Sequence, residues 1–275
     1  MRLFVSTLQK LRRRPATWIT FAVLAALLVL ILLAVSGASR LPDQGNGGPR
    51  FDPLTLVTFP GAYTEILGFV LGLGGLFAVI FGAAVAGSEW TWGTFKAVVA
   101  RGESRTMYVL TTFMATLLVI AIGLLVTYLV GIAGGAVAAS LAGVSLAGMS
   151  DASALGDLPE LFARGMVGIA AQAALGFAVA TLARSQLAGI GAGIALYFVG
   201  SFALLFLPQV VKYLPFQLAN SAMDIGGGGL GAGGGGALAD AARVDANLAL
   251  VLLVVWFVGS LAVAAGFSER AEVLG

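Results

Sequence analysis

Neither cysteine nor histidine occurs among the 275 residues, and charge is scarce, with Asp, Glu, Lys and Arg together making up 10% of the chain. The first two absences remove disulfides, thiolate and imidazole metal ligation, thiol nucleophiles and histidine acid–base chemistry at once. No phosphate-binding loop is present either. The glycine-rich run GGGGLGAGGGG at 226–236 lacks the GK[ST] ending and reads as a flexible linker, and no phosphate-reading glycine motif opens a helix. An intramembrane enzyme would need converging Glu/His, Ser/Lys or paired Asp side chains inside apolar segments, and Glu65 is the one acid placed within such a segment. What the chain has in abundance is apolar residues: 59% are hydrophobic and the mean hydropathy is +1.01, with 10% charged against about 25% in an ordinary globular protein. This is a composition for lipid.

Six segments are apolar over enough residues to cross a hydrocarbon core about 30 Å thick: Ala16–Ser36, Gly61–Gly87, Met107–Val130, Gly165–Ala183, Leu187–Leu207 and Asn247–Gly266. An even number puts both termini on one side. On that side fall Arg2, Lys10, Arg12, Arg13, Arg14, Lys96, Arg101, Arg105, Arg184 and Arg270, ten of the 15 basic residues, so the positive-inside rule assigns it to the cytoplasm. The expected fold is therefore all-α and membrane-embedded: one domain over residues 1–275, with six spans and cytoplasmic termini.

Ahead of the first span, Phe4, Leu8 and Leu11 recur at helical spacing among basic residues until Pro15, which predicts an interfacial helix over residues 1–15. The apolar run that follows is too long for a cleaved signal segment. Residues 37–60 and 138–160 read as external loops, with DLPE at 157–160 resembling a capping box that starts the fourth helix at Asp157. Residues 208–246 read as an external re-entrant or interfacial segment followed by the glycine linker. Small-xxx-small pairs at Gly68/Gly72 and Gly189/Gly193 allow close backbone approach, within the chain or across a dimer seam. Glu65, one turn from the outer end of its span, is expected to reach water or an external basic residue.

One polar island stands apart, GSEWTWGTFKAVVARGESRT at 87–106. Thr94 reads as an N-cap, Phe95–Arg101 as a two-turn helix, Gly102 as a left-handed stop and Ser104 as the cap of the third span. Phe95, Val98 and Val99 form its apolar side, Lys96 and Arg101 its polar side, and Trp90 and Trp92 favour the headgroup layer. Two readings fit these residues: a rigid helix that docks into a groove of another protein, or an amphipathic interfacial loop.

The stretch SEWTWGTFKAVVARGESR, followed by an apolar span, resembles the signature of type-2 ABC transporter permeases. The basic N-terminal helix, the six spans and the YLPF-containing segment between the last two spans agree with it. Glu89, Gly93, Thr94 and Arg105 match the pattern best. The resemblance implies a multi-pass permease of a bacterial-type plasma (inner) membrane, paired with a second such subunit. Residues 88–106 would couple each subunit to a separate cytoplasmic ATPase that carries ATP and Mg, with no cofactor on this chain. The cargo of such an exporter would be lipid-like, peptide or drug-like. A secondary transporter driven by an ion gradient is the alternative, although the two halves show neither an internal repeat nor midplane ionisable residues.

Overall fold

The computed structural model describes residues 2–38, 53–203, 206–223 and 243–271, so the glycine run at 226–236 and the basic residues Arg40 and Arg50 lie outside the described residues. Every regular element among those described is helical. An amphipathic helix α1 (Arg2–Arg13) ends where Pro15, lacking an N–H, starts α2 (Pro15–Ala38). There follow α3 (Gly61–Thr91), a short α4 (Thr94–Val99), α5 (Arg105–Ala142), α6 (Ala152–Ala183), α7 (Gln186–Ala203), α8 (Pro208–Val211), α9 (Pro215–Met223) and α10 (Ala246–Arg270). Five of them, α2, α3, α5, α6 and α10, are long and apolar enough to cross a membrane. The apolar part of α7 is shorter, Gln186–Gly200.

Burial sorts these helices into a centre and a rim. In its most apolar stretch α3 buries 72% of its residues and α6 67%, whereas α2 buries 28% and α10 33%. The two central helices approach until backbone meets backbone: a Cβ on Gly82 would strike the Ala173 carbonyl, and one on Gly176 would strike the Val79 carbonyl. Gly176→Ala should therefore force α3 and α6 apart at a cost of about 1–3 kcal/mol, read as a lower unfolding midpoint in detergent. An unchanged midpoint would mean that this seam yields freely.

Gly189 and Gly193 pack inside the chain, against Ala180 of α6 and Val79 of α3, the first of the two readings that their spacing allows. Gly68 and Gly72 are half-buried on α3. Two boundaries also differ from expectation. Helix α5 runs on to Ala142, closed by Gly143 in the left-handed region (φ 74°), and α6 begins at Ala152, so the expected loop over 138–160 contracts to 143–151. The cap of α6 is Asp151, not Asp157: its carboxylate accepts from the Ser153 and Ala154 amides at 3.0 and 3.5 Å and from the Ser153 hydroxyl at 2.6 Å. Those bonds hold the Asp151 carboxyl below its ordinary range. Because Asp151 captures the first-turn donors earlier, Glu160 is left free of capping and accepts instead from Arg164, one turn on, at 2.6 and 2.9 Å.

Between α7 and α10 the chain dips back into the bundle. Gln172, about 17 Å from the last turn of α6 by helical rise, donates to the Pro215 carbonyl at 3.4 Å, and Trp256 donates to the Tyr213 carbonyl at 3.0 Å. Ala219 then lies against Gly168 and Met223 against Gly165, so α9 climbs back along α6. Segment α8–α9 is thus packed against the bundle, with the carbonyls of Tyr213 and Pro215 accepting from Trp256 and Gln172.

Candidate functional site

At the end of the bundle that holds Lys10, Arg14, Arg105 and Arg184, α1, α3 and α5 meet around Glu89, with the end of α10 close by. Although it sits two residues before the end of α3, Glu89 is only 4% exposed. Lys10 of α1 donates to its Oε1 at 2.7 Å, the Tyr108 hydroxyl of α5 donates to its Oε2, and the Arg14 guanidinium stands 3.8 Å from Oε1 while donating to the Ser88 hydroxyl at 3.0 Å. Burial draws the Arg14 guanidinium below its ordinary range, and the Glu89 carboxylate and Tyr108 pull against that shift. One carboxylate thus ties α1, the α1–α2 turn, α3 and α5 together.

The short helix α4 hangs from this cluster. Its N-cap is Gly93, held at φ 67°, and not Thr94. The Thr94 hydroxyl instead donates back to the Glu89 carbonyl at 3.2 Å, bracing the turn that only a glycine enters cheaply. Gly102 at φ 83° supplies the expected left-handed stop, and Ser104 accepts from the Met107 amide at 3.4 Å to cap α5. Phe95 is turned inward. At 2% exposure it stacks on Trp90 with centroids 4.4 Å apart and lies 6.1 Å from the Tyr108 ring. Val98 and Val99 are half-buried against the same core. The apolar side of α4 thus faces its own bundle, which corrects the expectation that Phe95 offers contact to a partner. Lys96, Ala97, Ala100 and Arg101 form the exposed side.

The two tryptophans part company. Trp90 is half-buried beneath the Arg184 guanidinium, 5.3 Å from its ring centroid, with Phe267 of α10 6.4 Å away. Trp92 is 64% exposed, with Arg14 4.7 Å over its ring, and it alone suits the headgroup layer. Arg105 does not reach Glu89. It donates to the carbonyls of Glu269 and Ala271 at 2.9 and 2.8 Å, capping the C-terminus of α10, while Thr106 donates to the Glu269 carboxylate. Glu89 and Arg105 therefore anchor the two ends of the 88–106 segment to different helices. Nothing local in the sequence marks Lys10, Arg14, Tyr108 or Arg184 as parts of this site.

At the opposite end Glu65 is half-buried with Oε2 enclosed and unbonded, and no ion pair reaches it among the described residues. The external Arg40 and Arg50 lie outside the described residues, so the expected pairing with a basic residue is not tested by them. Among the same residues no group of three acids comes together as a metal site would require.

Five helices long and apolar enough to cross a membrane, packed into one bundle, define a multi-pass α-helical membrane protein. The chain belongs to DUF2705, a family described as proteins of unknown function, whose family model matches residues 53–263, from the start of the described segment before α3 into α10. No curated protein matches it.

Proposed function

We propose that this chain is the noncatalytic membrane-spanning subunit of an ATP-driven exporter, coupled through α4 to a separate cytoplasmic ATPase that binds ATP and Mg. In this reading α7 is the sixth span, both termini and residues 88–106 are cytoplasmic, and a second permease subunit, identical or paralogous, completes the pathway. The observation that carries the proposal is the two-sidedness of α4. Its inner face is fastened to α3 and α5 through Phe95 and the Glu89 cluster, and its outer face is left exposed. A helix held in this way transmits a push; a loop that merely lay on the membrane would need no such fastening. Closure of two ATPases would move the docked helices as levers and alter how the spans of the paired subunits meet. The apolar interior suits a lipid-like, peptide or drug-like cargo better than a small ion.

The test is direct. The chain, affinity-purified from its native membrane after crosslinking through a cysteine at Ala100, should bring down a protein carrying a phosphate-binding loop, and ATP hydrolysis with it. Recovery without any such partner overturns the exporter. Orientation is checked separately in this cysteine-free chain: cysteines at Ser104 and at Ser150 should react with an impermeant reagent from opposite sides. Labelling of both from outside would refute the assignment.

A further inference from the structure

A groove of about 490 Å³ opens on the outer surface of the bundle between the α1–α2 corner and α5. Its mouth is the Arg12 side chain, its walls include Trp18, Phe21 and Ala22 from α2 and Val126 from α5, and its floor passes over Gly123. Local bonds shape this mouth. Trp18 donates through its indole to the Arg12 carbonyl at 2.8 Å, and Thr17 donates to the Leu11 carbonyl at 2.9 Å, so the end of α1 is fastened over the start of α2. With no side chain on Gly123, the Phe21 ring lies against the α5 backbone. At the same corner the two arginines divide: Arg14 turns in toward Glu89 and Ser88, while Arg12 is exposed and its guanidinium makes no hydrogen bond or ion pair among the described residues.

We propose that this groove is a binding site for one anionic phospholipid of the leaflet at the basic end, with its phosphate on Arg12 and Trp18 beside the glycerol region, and one acyl chain laid along α2 and α5. Charge decides the occupant. An apolar groove with a single guanidinium at its headgroup-level mouth matches a molecule that is apolar along its length and negative at one end, whereas a transmembrane helix packed there would bring nothing for the arginine. Length agrees: the α2 wall from Trp18 to Ala25 rises about 10 Å, most of the half-thickness of a hydrocarbon core about 30 Å across. The site is independent of the exporter reading and would stand if no ATPase were found.

Trp18 reports on the groove directly. In a chain carrying Trp90→Phe, Trp92→Phe and Trp256→Phe, Trp18 is the sole tryptophan, and its fluorescence is titrated in vesicles with chain-brominated phosphatidylglycerol or chain-brominated phosphatidylcholine. Phosphatidylglycerol should reach half-quenching at about a fivefold lower mole fraction, the order expected for one cation at the surface. Arg12→Gln should reduce that preference to less than about twofold, and Ala22→Phe, which fills the groove, should weaken quenching by both lipids. Equal quenching of the parent by the two lipids would mean ordinary annular lipid, and absence of quenching by either would mean that another protein surface covers the groove; each overturns the proposal. Native mass spectrometry of the chain with all four tryptophans gives a second measure. Retained phosphatidylglycerol should be lost with Arg12→Gln, and equal retention by the two proteins would also sink the site.

Discussion

Glu89→Gln should destabilise the protein by roughly 3 kcal/mol, seen as a fall of roughly 5–10 °C in the unfolding midpoint in detergent. The substitution keeps the shape of the side chain and removes only its charge. Arg14, held by the fold at the α1–α2 turn with a side chain only 18% exposed, would then face no counter-charge, and because the amide keeps one acceptor oxygen, one of the two donors, Lys10 on Oε1 or Tyr108 on Oε2, would face an NH2 group instead. Removing one partner of a buried ion pair usually costs 3–5 kcal/mol, and the lower end applies because the Lys10 side chain is 35% exposed. Lys10→Met alone should cost less than half as much. Added to Glu89→Gln it should cost little more, since both changes remove the same bond. A midpoint that moves by under 1 °C with Glu89→Gln would show that the cluster does not hold this end of the bundle together.

That cluster also marks how far the sequence could be read. Apolar runs separated by polar breaks made the spans legible, and Gly102 and Ser104 could be recognised because a left-handed stop and an N-cap are local devices with local signals. Glu89 stood out as one of the few acids at a span boundary. Its partners did not, because Lys10 and Arg14 are 79 and 75 residues away and nothing in a basic N-terminal helix says which of its cations turns inward. The Asp157 cap failed for a related reason: D-x-x-E is a local pattern, and Asp151 offered a competing local pattern six residues earlier that won. The direction in which Phe95 points is not legible because the 3.6-residue period reports that a short helix has an apolar side without reporting what that side faces. In α4 it faces Trp90 and Tyr108 of the same chain.

In the exporter reading the inward turn of Phe95 moves the decisive coupling variant to the other side of α4, where Ala97→Asp should abolish retention of the proposed ATPase while leaving the fold unchanged. Ala97 is exposed, so an aspartate there meets water in the isolated subunit and should shift its unfolding midpoint very little. Seated in a partner's groove, the same carboxylate would be buried without a counter-charge, a cost of several kcal/mol, and at about 1.4 kcal/mol per tenfold the affinity should fall by at least a hundredfold. Val98→Asp is the informative contrast. Half-buried against the bundle's own core, it should lower the midpoint of the subunit alone and release the ATPase only as a consequence of loosening α4. Lys96→Ala at the solvated rim should change retention by less than about 1 kcal/mol. Reconstituting each variant with the ATPase and measuring subunit retention, stimulated hydrolysis and the unfolding midpoint side by side separates docking from folding. If Ala97→Asp binds and stimulates the ATPase like the parent, α4 carries no load between the subunits and is an amphipathic loop at the membrane surface, fastened to its own bundle for stability alone.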